Sequence, residues 1–268
     1  MLRPRIIPTL LIHDGGLVKT VRFDSPKYVG DPINAVKIFN EKDADELFAV
    51  DIDATALNHE PDYRLIENLA AECRMPLCYG GGITTVEQAE HIISLGVEKV
   101  ALSKAAIDDP TLVTRIAERL GRQSVVAVID IKRNSTLFHQ SEEVVTVNAR
   151  IRAPVKPLDI AKRLEEAGVG EIVINSVDRD GMQQGYDLEL ARKFREQLGV
   201  PLTVLGGAGS LDDVEELIAQ CGLVGAAAGS LFVFKGARKA VLINYPDMAA
   251  KAALCRKGLE RHQQGAPS

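Results

Sequence analysis

Eight short runs of aliphatic and β-branched residues recur along the chain, at 5–12, 47–52, 76–79, 99–103, 124–131, 171–176, 201–205 and 224–228. Runs of this length and composition predict buried strands. Between them the apolar residues recur at helical spacing. In 86–95, Val86, Ala89, Ile92 and Ile93 share one face, and 158–167 and 212–220 behave similarly. Strands alternating with helices predict a parallel sheet. Two stretches break the rhythm. Residues 13–31 read as a long, glycine-containing loop of mixed charge, and 134–156 as an irregular segment with a hairpin. Residues 256–268 are polar and predict a frayed tail, which leaves 1–255 as the folded unit.

The pattern is duplicated. Residues 75–105 match 200–230 at an offset of 125, with Gly81-Gly82 falling on Gly206-Gly207. Glu46 to Asp53 falls on Glu171 to Asp178 at the same offset. The first strand matches the fifth at an offset of 119, so the second half carries six extra residues, which fit in the loop after the fifth strand. A period this long is a duplicated half-domain, not a solenoid repeat. Eight βα units in two halves predict an α/β fold: a single (β/α)8 TIM barrel built from two half-barrels. No G-x-G-x-x-G follows the first strand, which argues against an open dinucleotide-binding sheet.

Composition narrows the function. The chain has 268 residues, 46% hydrophobic and 4% aromatic, with a net charge of −5. That charge offers no electrostatic footprint for nucleic acid. No apolar run reaches membrane-spanning length, and the first residues lack the core of a signal peptide. Cys73, Cys78, Cys221 and Cys255 have no zinc spacing and read as reduced thiols of a cytoplasmic protein. No nicotinamide, flavin or metal signature stands out, so neither cofactor nor metal is expected.

Barrel chemistry belongs at the C-terminal ends of strands. Gly80-Gly81-Gly82 ends the third strand, Gly206-Gly207-Ala208-Gly209 the seventh, and Gly229-Ser230 the eighth. Tight turns would explain one glycine pair. Two clusters in repeat-related places favour phosphate binding, at two sites suited to a ligand with a phosphate at each end. Asp130 ends the fifth strand among apolar residues and reads as functional. Asp51 and Asp53 end the second strand, where a helix cap is the plain alternative. Asp180, before Gly181, fits a turn as well as a catalytic role. The repeat partner of Asp130 is Leu11, so one of two possible facing carboxylates is missing. Leu11 itself reads as core packing. At the other ends of the strands, Arg5, Glu46, Lys99 and Glu171 could form a mixed-charge ring that gates a small polar molecule.

Together RIIPTLL, DIDA, YGGGI, VIDIKR, NSVDRDG, LGGAG and AAGSLFVF resemble, over nearly the whole chain, the cyclase subunit of imidazole glycerol phosphate synthase. The resemblance implies a glutaminase partner whose ammonia enters through the gate Arg5, Glu46, Lys99 and Glu171, with Glu98 at the partner interface. It implies catalytic roles for Asp130 and for Lys19 in a mobile loop. Gly82, Gly181, Gly207 and Ser230 match phosphate-site positions, beside Gly206 and Gly229.

Several positions depart from the family pattern. The other catalytic aspartate falls on Leu11, a lysine two residues later is His13, an Asn-Thr pair is Ser103-Lys104, and a serine is Leu205. Ser103 and Lys104 are then the phosphate-site candidates after the fourth strand. IPTLLIHDGGLVKTVRF and YVGDPINAVKIFNEKDADEL resemble a branch that accompanies a dedicated glutaminase and a sugar amidotransferase, serving acetamidino groups on bacterial surface sugars. The expected function is ammonia channelling to such an acceptor. The alternatives are the histidine-pathway cyclase, with His13 or Asp14 folded over the mouth as substitute acid, and a catalytically silent activator of the glutaminase. A sugar-phosphate isomerase is weaker, since its first-strand aspartate is also absent.

Overall fold

The computed structural model describes residues 3–136, 139–236 and 239–265. Eight parallel strands form the barrel: β1 (Arg5–His13), β2 (Leu47–Asp51), β3 (Leu77–Gly80), β4 (Lys99–Leu102), β5 (Val125–Thr136), β6 (Glu171–Ser176), β7 (Leu202–Leu205) and β8 (Gly225–Ala228). Each pairs with the next, β8 returns to β1, and β5 pairs with β6 from Glu171↔Val126 to Ser176↔Ile131, so the sheet closes. The longer helices are α1 (Pro32–Glu41), α2 (Tyr63–Glu72), α3 (Val86–Ser94), α4 (Pro110–Leu120), α5 (Pro157–Glu166), α6 (Leu188–Gln197), α7 (Leu211–Cys221) and α8 (Met248–Gly265).

Strand alternation sorts the core into two layers. Ile6, Leu10 and Ile12 of β1 face outward and pack with helix residues such as Val36, Phe39 and Leu254. The inward layer takes one residue from every strand: Ile7, Phe48, Cys78, Ala101, Val126, Val173, Leu205 and Ala227. The barrel interior is therefore filled, with a polar ring below this layer and a cavity above it.

The duplication extends to the helix starts. Thr85 caps α3 in a reciprocal capping box with Gln88, and Ser210 caps α7 in the same way with Asp213. Asp62 accepts from Leu65 N at α2, and Asp187 from Leu190 N at α6. Each pair lies 125 residues apart. Such caps satisfy backbone N–H groups that a helix start would leave orphaned.

Two expectations change. The stretch 13–31 is not a loop: Gly16–Val21 pairs antiparallel with β1 and with Asp24–Gly30. Gly15-Gly16 and Pro26 hide this hairpin in the sequence, and its buried side chains, Leu17 to Thr20, pack on the barrel rather than on each other. The segment after β5 does form a hairpin, with His139–Thr146 returning along β5. The polar tail expected from 256 is instead helical to Gly265. Arg261 bonds Glu215 and Glu216 of α7, and Gly258 lies against Ile218, where a Cβ would come within 2.7 Å. The polar residues face outward and pair across helices, so their composition concealed a docked element.

Candidate functional site

The starts of β1, β2, β4 and β6 bring Arg5, Glu46, Lys99 and Glu171 into one closed ring. Lys99 Nζ donates to Glu46 Oε1 at 2.8 Å and to Glu171 Oε2 at 3.0 Å. Arg5 donates to Glu171 Oε1 at 2.6 Å and also bonds Glu46. Thr203, from the start of β7, donates its hydroxyl to Glu171 Oε1 at 2.5 Å. Its place inside an apolar run gave no sequence signal for this fifth member. Burial opposes the charge on Arg5 and Lys99, but the two glutamates outweigh it and raise both. Burial likewise opposes the Glu171 charge, and Arg5 and Lys99 outweigh it and hold the carboxyl low. Two cations face two carboxylates, so the formal charges of the ring cancel. Exposed Glu98 sits beside Lys99 on this face.

At the opposite end lies a cavity of about 490 Å³. Its walls include Thr9, Leu11, Lys19, Val50, Ser103, Asp130, Asn175, Asp180, Gly229 and Ser230, as well as Gly80, Gly81 and Gly82. Burial pushes the Asp130 carboxyl up to about 7; a 3.0 Å bond from Asn175 Nδ2 and the nearby Ser103 hydroxyl offset this in part, while Asp180 adds to it. Burial pulls Lys19 down to about 8 against the attraction of Asp180, and its Nζ donates to Thr9 O at 2.6 Å. Burial raises Asp180 too, opposed by its bond from Thr20 Oγ1 at 2.7 Å. Asn175 is a second residue that sequence reasoning missed, for the same reason as Thr203.

The hairpin carries Lys19 into the cavity and crosses the mouth. Thr20 and Arg22 N both reach Asp180, and a Cβ on Gly181 would lie 2.1 Å from Thr20 O. Gly181, Gly206 and Gly207 do not line the cavity; a Cβ on Gly207 would lie 2.2 Å from Gly185 O. Gly81 and Gly82 do line it, yet packing also requires them, since Cβ atoms there would lie 2.5 Å from Asp51 O and 2.8 Å from Ala54 Cβ. Lys104 lines the rim, ion-paired with Asp108.

Three chemistry-bearing side chains stay outside the cavity wall. His13 Nδ1 pairs with Asp53 at 2.7 Å, Asp14 is exposed with its N–H bonded to Asp53, and Asp53 is committed to both. His13 and Asp14 therefore do not substitute for a missing acid in this arrangement. Asp51 lines the cavity but acts as a cap, accepting from Asp53 N and Ala54 N. Leu11 is not simple core packing. It faces the cavity half-buried, beside Val50.

A family model described as histidine biosynthesis protein matches residues 5–238. Three relatives align over almost their whole length, all provisionally named as imidazole glycerol phosphate synthase subunit HisF. The hisF3 protein of Vibrio vulnificus is 56% identical, covering 97% of this chain and 98% of the relative. That of Leptospira interrogans is 56% identical, covering 95% and 99%. The hisF2 protein of Pseudomonas aeruginosa is 53% identical, covering 92% and 98%. The chain belongs to the HisF-like histidine biosynthesis family. In this HisF-like barrel, among the described residues, no helix is long and apolar enough to cross a membrane and no group of three or more His, Cys, Asp and Glu side chains is arranged to hold a metal.

Proposed function

We propose that this HisF-like barrel is the ammonia-accepting subunit of a glutamine amidotransferase complex. A partner glutaminase docks at the ring face beside Glu98. Ammonia enters between Arg5, Glu46, Lys99 and Glu171, and crosses the inner layer as the neutral molecule, because a lone ammonium there would face a large desolvation cost. The acceptor, held in part by Gly81, Gly82, Ser103, Lys104 and Ser230, is a bacterial surface sugar receiving an acetamidino group with a sugar amidotransferase.

The observation that carries this reading is the pairing of a complete ring with a half-complete mouth. Asp130, with its carboxyl near 7, can exchange a proton at neutral pH. Leu11 offers nothing opposite it, and a positioned acid or base is worth roughly 10²–10⁴-fold in rate. Ammonia handling is supported where ring closure of a bisphosphate is not. The relatives' names favour a second reading, the cyclase step itself, and Leu11 weighs against it.

The test uses the complex with its glutaminase and glutamine labelled with ¹⁵N in the amide. Label in a sugar acceptor, lost in Lys99→Met, supports the proposal. Stimulated glutamine hydrolysis with no label in any acceptor would make the barrel an activator only.

A further inference from the structure

The mouth cavity carries an apolar patch among polar lining residues. Ser103, Asp130 and Asn175 line the side formed by β4, β5 and β6. Leu11 and Val50 line the side formed by β1 and β2, where they are register partners, and Phe23 of the hairpin joins them; Thr9, Asp51 and the hairpin's Lys19 are the polar members of this side. Phe48 and Leu205 form the floor, shared with the inner core. Leu11, Val50 and Phe23 are each only half-buried, although aliphatic positions on the outer face of the same strands are fully covered. The repeat shows that this strand position accommodates a carboxylate, since Asp130 occupies it in the second half. An apolar residue there leaves apolar surface facing whatever fills the cavity, and that surface gains only if the occupant is apolar too.

This wall borders the glycine turn. Val50 pairs in register with Gly80, whose strand runs into Gly81 and Gly82. At about 4.8 Å per strand, Leu11 lies roughly 10 Å from that turn. A single small ligand therefore spans both. The far glycines, Gly181, Gly206 and Gly207, do not line this cavity, whereas Gly229 and Ser230 at the end of β8 do.

We infer that the cavity takes a ligand with one anionic end, at Gly81, Gly82, Ser103 and Lys104, and one apolar group seated on Leu11, Val50 and Phe23. The inference rests on the anion-binding part of the proposed function and adds the substrate class: an anionic sugar or acyl derivative bearing a methyl or other alkyl substituent.

Calorimetric titration of the full chain with inorganic phosphate and with methyl, ethyl, propyl and butyl phosphate tests it. Affinity should rise about fourfold per methylene once the chain reaches the wall, the value of a buried CH₂. Leu11→Asp should abolish the rise while inorganic phosphate still binds, and the nearly isosteric Val50→Thr should reduce it. A flat series with normal phosphate binding overturns the apolar seat and leaves the ammonia reading standing. Failure of every phosphate to bind overturns both the seat and the anion site.

Discussion

Thr203 bonds Glu171 through space that Gly225 leaves open: a Cβ on Gly225 would lie 1.9 Å from Thr203 Oγ1. The glycine at the start of β8 thus permits a hydroxyl beside the charged ring. Gly225→Ala should cost about 1–3 kcal/mol by overpacking, and less in a Thr203→Ala background, where the oxygen is gone but the Cβ contact at 2.9 Å remains. Urea unfolding of the four proteins of the cycle measures the coupling. Equal costs in both backgrounds would show that Thr203 is not the constraint.

Lys99 separates Glu46 from Glu171 and neutralises both in part. Lys99→Met leaves two buried carboxylates with Arg5 alone, a loss of about 3–5 kcal/mol at pH 7. Because Glu171 is held below its ordinary value, the stability it contributes is present at neutral pH and is lost as pH falls through the folded-state value. The deficit of the variant should therefore shrink on acidification. Thermal unfolding between pH 4 and 8 checks this, and a deficit independent of pH would place the loss in packing.

Asp130 carries the opposite sign. Its folded-state value of about 7 lies above the ordinary 3.8, so the folded chain holds the proton more tightly than the unfolded one. Stability from this group is full below the ordinary value and declines as pH rises toward 7. Asp130→Asn removes the penalty and should raise Tm at pH 8, by about 2–4 °C for each kcal/mol removed in a domain this size, with no gain at pH 4. ¹³C observation of the Asp130 carboxyl, titrated from pH 4 to 9, gives the value directly.

The sequence made some parts of this architecture legible and concealed others. The eight strands announced themselves because buried parallel strands read as aliphatic runs. Arg5, Glu46, Lys99 and Glu171 stood out because charge is conspicuous at the start of such a run. Thr203 and Asn175 did not, since a lone polar residue within a strand is unremarkable until its partner is known. The hairpin at 16–30 was hidden because it packs across the barrel mouth, so its alternation answers to distant residues such as Asp180. The second half of α8 was hidden because Arg261 is satisfied by Glu215 and Glu216 of α7. The glycine clusters were conspicuous, but composition could not show that Gly81 and Gly82 face the cavity while Gly206 and Gly207 do not.

On the proposed function, Leu11 stands where ring closure would need a second acid, above a charged ring through which ammonia could still enter. The most direct measurement is cyclisation of the histidine-pathway bisphosphate intermediate with free ammonium, comparing the native chain with Leu11→Asp. No cyclisation above background is expected for the native chain and at least a 10²-fold gain in the variant, the lower range for a positioned acid or base. A native chain that already cyclises the intermediate, with Leu11→Asp adding nothing, would contradict that reading.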